Sequence, residues 1–246
     1  MIQPANPPAP SRPRSIPLPG ARPACTYGIL AVTTLVFIGQ QIWGYSFTRQ
    51  YGLKINDLIL QGEFWRLVTP IFFHANILHF FFNMYALYNV GLLIERPLGY
   101  SKFLIIYFFS GVIGVFASFL ITPADSLGAS GAIFGLIGAL AVFLYRNYRL
   151  FGAPGRNLLY NVVFIIVINL LISVAPGTGI DLWGHVGGLV TGSALAWILA
   201  PVWTIQTDPY TGQSTAVDRN PFSRRTLPVF LFLLSAFILT LWLVVR

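Results

Sequence analysis

Charge is what this chain has least of. Charged residues make up 9% of its 246 positions against 56% hydrophobic and 15% aromatic, and the mean hydropathy is +0.72. A soluble domain needs a charged coat that this composition cannot supply, so the chain reads as an integral membrane protein. Cysteine is limited to Cys25, which precludes an internal disulfide and carries no information about redox compartment; beside a membrane it can serve as a lipidation site. Acids are scarcer than bases, 7 against 15, for a net charge of +8. The basic residues sit in short connections rather than in one aromatic-laced patch, which argues against nucleic acid as a partner and for a positive-inside asymmetry. The chain also shows no internal repeat of roughly 20 to 50 residues and no pair of inverted halves.

Long apolar runs are what it has instead. They fall at about 27–46, 76–94, 103–122, 128–145, 158–175, 182–200 and 227–245. Each holds roughly 18 to 22 residues, enough at ~1.5 Å per residue to cross a ~30 Å hydrocarbon layer. The expectation is an all-α polytopic membrane protein with seven spans. Placing the N-terminus in the cytoplasm puts eleven of the fifteen basic residues inside and leaves Arg49, Lys54, Arg66 and Arg246 outside. That asymmetry sets the N-terminus in and the C-terminus out. Residues 1–26 hold eight prolines, three arginines and no acid, which reads as a disordered cytosolic tail, with neither the apolar core of a signal peptide nor an amphipathic transit helix. The segment 47–74 is too charged to span and too apolar for a solvated loop. It is expected to lie at the interface, with Trp65 and Arg66 at headgroup level. Residues 201–226 read as a polar cytosolic loop, which leaves 227–246 as an appended span.

Polar groups inside a membrane are expensive and mark cavities or partners. His79 and Asn83, four apart, share a face of the second run, and His74 precedes it. That is not the spacing of a zinc pair on a helix, and no metal or other cofactor is expected. Asn161 and Asn169 in the fifth run read as interhelical hydrogen-bonding residues. The fourth run carries Gly128, Gly131, Gly135 and Gly138 at spacings of three, four and three, a face without side chains against which another backbone can pack. The sixth carries His185, Gly188 and Gly192 on one such face. Amid the first stripe stands Ser130. Beside Gly in a membrane, Ser is commonly a packing residue, unless a base and oxyanion donors share its depth. Ser130 to Arg146, His79 to Glu95 and His185 to Pro201 each count sixteen residues. That places all three about 24 Å above the inner boundary, some 6 Å below the outer surface.

Shared depth turns packing residues into candidate chemistry. A serine hydroxyl becomes a nucleophile when a neutral imidazole takes its proton, and a bare glycine face lets His185 come that close. His79, the Asn83 amide and backbone N–H groups around Ser130 can hold the oxyanion. Asp181 lies four residues before His185 and can complete a triad, although an Asp there is more often a helix cap. A Ser–His dyad is the economical reading. Because hydrolysis needs water, the site is expected to open to the outer side through a polar cavity.

These residues resemble the rhomboid family of intramembrane serine proteases. The resemblance rests on Glu63-Phe-Trp65-Arg66, His74-x4-His79-x3-Asn83, Glu95-x3-Gly99, Gly128-Ala-Ser130-Gly131 and Gly184-His185-x2-Gly188-x3-Gly192, and covers about 27–200. It implies a six-helix bundle plus one C-terminal transmembrane helix, with Ser130 as nucleophile, His185 as its base and His79 and Asn83 in the oxyanion hole. His74, Trp65, Arg66, Glu95, Gly128, Gly131, Gly188 and Gly192 would be structural supports. It also implies metal-independent cleavage of single-span transmembrane substrates near the outer face, in contact with membrane lipids and in the plasma (inner) membrane. Phe134 stands where some members carry a Tyr that packs on the catalytic His. A rhomboid-fold protein that binds clients without cutting them would be expected to lack Ser130 or His185. A transporter would need polar groups on both sides of the midplane.

Overall fold

The structure, a computed structural model, describes residues 20–221 together with Leu231 and Ser235. Apart from those two positions, the expected span at 227–245 lies outside the described residues, as does most of the 1–26 tail. The helices are α1 Ala24–Phe47, α2 Asn56–Leu60, α3 Ile77–Leu98, α4 Tyr100–Ile121, α5 Ser130–Arg146, α6 Tyr148–Ser173 and α7 Leu182–Leu199, followed by strands β1 Trp203–Thr207 and β2 Ser214–Asp218. Five of them, α1, α3, α4, α6 and α7, are long and apolar enough to cross a membrane. The sixth, α5, is shorter at 17 residues, eleven of which are buried. It is the central post of the bundle, packed against α3, α4, α6 and α7.

Boundaries follow local chemistry. Asn76 caps α3 by accepting from the His79 backbone N–H at 2.9 Å, and Gly99 ends it at a positive φ of 76°. Helix α1 has no capping side chain of its own. Its first amides are served from another helix: the fully buried Glu95 carboxylate accepts from Cys25 N at 2.8 Å, Thr26 N at 2.7 Å and Thr26 Oγ1 at 2.6 Å. A carboxylate at a helix N-terminus answers both the orphan donors and the dipole, so Glu95 pins α3 to α1.

Several expectations need correcting. Helix α6 begins at Tyr148 rather than near 158, because Gly152, at φ 58°, lets two helical pieces meet at a kink. Residues 201–226 contain an antiparallel hairpin pairing Trp203 with Asp218 and Thr207 with Ser214. A turn seeded by Asp208, whose carboxylate accepts from the amides of Tyr210 and Thr211, closes it as an Asx turn does. Asn147 ties the hairpin to α5 by accepting from Trp203 N at 2.8 Å. Finally, Asn169 does not bridge helices: its amide donates to Ile165 O of its own helix and the residue is exposed.

The 47–74 segment folds as short helical turns at the end of the bundle where α3, α5 and α7 begin, clamped by two buried cations. Arg66 is 2% exposed, so it does not lie at headgroup level. Its guanidinium donates to the carbonyls of Arg49, Gln50 and Leu53 and to Glu63 at 2.6 Å. Three carbonyls left unpaired where α1 ends demand a multidentate donor, and Arg66 is drawn inside to supply it. Trp65, by contrast, is 46% exposed. Lys54 is fully buried; its ammonium donates to Ser118 Oγ at 3.2 Å and Thr122 O at 2.8 Å, while its main chain pairs with Ser126. Burial holds this ammonium below the ordinary lysine range. Lys54 thereby satisfies the C-terminal end of α4 and anchors the connection that leads to Ser130. Replacing Lys54 by Met should lower stability by about 1 to 3 kcal/mol, since the Thr122 carbonyl keeps only the longer 3.3 Å bond from Asn56 Nδ2 and Ser118 Oγ loses its donor. Thermal unfolding in detergent micelles measures it, and an unchanged midpoint would show that the clamp is idle.

Candidate active site

The site is assembled by backbone contact. A Cβ at Gly188 or Gly192 would collide with the backbone of Gly131 or Gly135, and one at Gly131 would come within 3.1 Å of Gly184 O. Helix α4 joins the same contact: a Cβ at Gly114 would lie 2.7 Å from Gly184 O. With no side chains between them, α5 and α7 bring Ser130, next to Gly131, against the segment Gly184–Gly188 that holds His185.

Ser130 is the first residue of α5, His79 the third of α3 and His185 the fourth of α7. All three therefore occupy first turns, at one end of the bundle, where the helix dipole is positive. Gly128 lies between two of them. It adopts φ 137°, and a Cβ there would meet His79 Cε1 at 2.7 Å, His79 Nε2 at 2.9 Å and Ser130 Oγ at 3.7 Å. Only glycine lets the His79 ring edge and the serine hydroxyl flank the same α-carbon. Beside them is a cavity of about 20 Å³ lined by Ser126, Gly128, Ser130, Gly131, Asp181 and Gly184 among others. That is room for one water molecule among polar groups.

The His185 ring is 8% exposed. Phe134 stacks on it at 4.3 Å between centroids and 16° between planes, so the aromatic support survives without a tyrosine hydroxyl. Its Nδ1 lies 3.1 Å from Ser173 Oγ. Asp181 is the N-cap of α7, accepting from Gly184 N at 3.0 Å, the cap role expected for Asp at that place. Among the described residues, no hydrogen bond within 3.5 Å joins Ser130 to His185. Catalytic contacts are commonly long before substrate arrives.

The other candidates surround this pair. Asn83, 7% exposed, donates one amide hydrogen to His79 O at 2.9 Å, leaving its second uncommitted. His74 is 2% exposed, with neither ring nitrogen hydrogen-bonded. Its ring stands 5.1 Å from that of His79 and edge-on to Phe80 at 5.5 Å, so the two histidines meet although they share no helix face. Burial, followed by the neighbouring His79, pushes the His74 imidazole down to about 3. Glu95, Trp65 and Arg66 stand away from Ser130, in the roles described above. Two residues escaped notice in the sequence. Gln40 clamps the His74 main chain, donating to its carbonyl at 3.1 Å and accepting from its amide at 3.0 Å; a glutamine inside an apolar run was the available signal. Ser173 gave none beyond a hydroxyl at the end of a span.

The model of the rhomboid domain matches residues 61–202. The chain is 43% identical over 175 residues to the rhomboid protease GluP of Bacillus subtilis, covering 70% of this chain and 34% of that one. It is 39% identical over 152 residues to the chloroplastic RHOMBOID-like protein 9 of Arabidopsis thaliana, covering 62% and 35%. With the Rhomboid-like protease 1 of Toxoplasma gondii it shares 36% over 161 residues, covering 62% and 55%. The matched part thus spans between a third and somewhat over half of these relatives' length.

The buried His74 generates a pH dependence. An imidazole held near 3 in the folded state and near ~6.5 when unfolded binds protons more readily unfolded, so stability is complete above about pH 6.5 and is lost as pH falls toward 3. Replacing His74 by Leu should flatten this acid loss, worth up to a few kcal/mol at pH 4. Unfolding midpoints at pH 7 and pH 4 for both proteins check it; equal acid sensitivity would mean that His74 does not titrate on unfolding.

Proposed function

The chain belongs to the rhomboid family, and on that premise we propose that it is an intramembrane serine endopeptidase using a Ser130–His185 dyad. The observation that supports the reading is the glycine contact of α5 on α7, which packs the start of α5, where Ser130 stands, on the Gly184–Gly188 turn of α7, the turn that also carries the buried, ring-stacked His185.

The chemistry follows from the positions. Ser130 Oγ attacks the scissile carbonyl carbon as His185 Nε2 takes its proton. The developing oxyanion is met by the Ser130 N–H at the start of α5, by His79 and by the second amide hydrogen of Asn83. Protonated His185 then passes its proton to the leaving amine, and the acyl-serine is hydrolysed by water, for which the cavity beside Ser130 has room. The substrates are single-span transmembrane proteins that reach the site through the lipid. With the N-terminus in the cytoplasm, as the distribution of basic residues favours, the site faces the outer side of the plasma (inner) membrane.

A serine-directed fluorophosphonate should label the purified protein at Ser130, and Ser130→Ala should lose both the label and the cleavage of a single-span substrate while keeping the wild-type unfolding midpoint. Persistent cleavage by Ser130→Ala would falsify the dyad. Asn83→Ala should lower kcat with little change in KM. One oxyanion donor is typically worth roughly 2.7 to 4 kcal/mol, and the loss should fall at the low end of that range because His79 and the helix amide remain. Equal kcat in the two proteins would remove Asn83 from the oxyanion hole.

A further inference from the structure

Hydrolysis by this dyad requires one particular form of His185, and nothing in the mechanism above selects it. A neutral imidazole carries a single hydrogen, on Nδ1 or on Nε2, and only the Nδ1–H tautomer leaves Nε2 able to take the Ser130 proton. In a triad, a carboxylate on Nδ1 makes that selection. Here Asp181, the carboxylate nearest in sequence, accepts from the Gly184 amide as a helix cap. The group on Nδ1 is Ser173, at the C-terminal end of α6.

A hydroxyl placed between two partners has one proton to give. Ser173 Oγ lies 2.8 Å from Asn169 O and 3.1 Å from His185 Nδ1. A carbonyl cannot donate, so the shorter contact holds the serine proton on the Asn169 side. Toward His185 the oxygen presents only lone pairs. An approach of 3.1 Å is attractive there only if Nδ1 carries the imidazole hydrogen, which leaves Nε2 bare. Among the described residues no other hydrogen bond is made by Ser173 Oγ or His185 Nδ1, and water has little access, since Ser173 is 7% and His185 8% exposed. Phe134, stacked flat on the ring, opposes any tilt out of this contact.

We propose that Ser173 is the positioning residue of the dyad: through the relay Asn169 carbonyl, Ser173 hydroxyl, His185 Nδ1–H, it holds the base in the tautomer that faces Ser130 with a free lone pair. The proposal rests on the reading of His185 as the base. It also explains why a hydroxyl suffices where a carboxylate is expected. In so dry a setting a bare carboxylate would carry a large desolvation cost, whereas a hydroxyl already bonded to its own helix adds no charge.

The test uses the full-length protein with 15N-labelled histidine in lipid nanodiscs at mildly alkaline pH, where imidazole is neutral. The His185 nitrogens are assigned by their absence in His185→Ala. The wild type should show a protonated Nδ1 and an unprotonated Nε2. Ser173→Ala should move the hydrogen toward Nε2 and lower kcat about fivefold with KM unchanged, the worth of one ordinary hydrogen bond. Ser173→Thr, which restores a hydroxyl that bonds back to its own helix, should recover both the tautomer and kcat. A bare Nδ1 in the wild type overturns the proposal. So does a Ser173→Ala protein that keeps the Nδ1–H form, whether its kcat falls or not, since a purely structural loss would leave the nitrogens unchanged. Failure of the wild type to react with fluorophosphonate at Ser130 would instead strike at the dyad itself, and the nitrogen spectra would remain readable.

Discussion

The constraint on which the molecule depends is the absence of side chains between α5 and α7. In lipid, no hydrophobic force drives two apolar helices together, because the acyl chains are as apolar as the helices. Close backbone contact supplies dispersion and weak Cα–H···O contacts in its place. Glycine at 131, 135, 188 and 192 permits that contact, and Gly114 brings α4 into it. Adding one methyl group at these positions would force the helices apart, and Ser130 would recede from His185 with them. Stability and chemistry therefore share one set of residues.

Around this contact, each buried charge is answered by main chain more than by opposite charge. Arg66 donates to three carbonyls and Lys54 to a carbonyl and a hydroxyl, while Glu95 accepts from two amides and a hydroxyl. Arg66 is also paired with Glu63 at 2.6 Å. Each of these three residues meets backbone groups left over where α1 or α4 begins or ends. Such groups are costly wherever water is scarce. A charged side chain that serves several at once holds loops and helix ends in fixed positions, and Ser130 lies at the end of one such loop, pinned at Ser126 by Lys54.

Much of this was legible in the sequence because a membrane makes it so. All six described helices of the bundle announced themselves as apolar runs, five of them long enough to cross a membrane by themselves, and the glycine stripes by their spacing of three and four. Equal counts of sixteen residues placed Ser130, His79 and His185 at one depth, and the structure has all three in first helical turns. What escaped depends on where a side chain turns once the chain is folded. Arg66 reads as a headgroup anchor by composition, yet it is pulled inward by carbonyls that exist only because α1 ends there. Asn169 reads as a bridge between helices but bonds back to its own. The α6 start was masked by Gly152, which looks like a break and acts as a kink. Ser173 could not be found, since its partner lies on another helix twelve residues away and no spacing rule links them.

The short length of α5 bears on how the proposed hydrolytic site can exist in an apolar layer. Seventeen residues cover only about 25 Å of a ~30 Å hydrocarbon core. If the helix reaches one boundary at Arg146, where a charge stops it, its first residue stops short of the other. Residues 122–129 complete the crossing as irregular chain, which lipid would not tolerate with its backbone exposed. That chain is covered by the 47–74 segment and tied to it through Lys54 and through the Gly128 amide on Pro70 O at 2.9 Å. Non-helical backbone at this depth brings polar groups, a small cavity and unpaired helix amides with it. A span of full length would have placed Ser130 at the surface, where water weakens every electrostatic contact. On the proposed reading, the missing turn of helix is what puts Ser130 in a dry setting that still has room for water beside it.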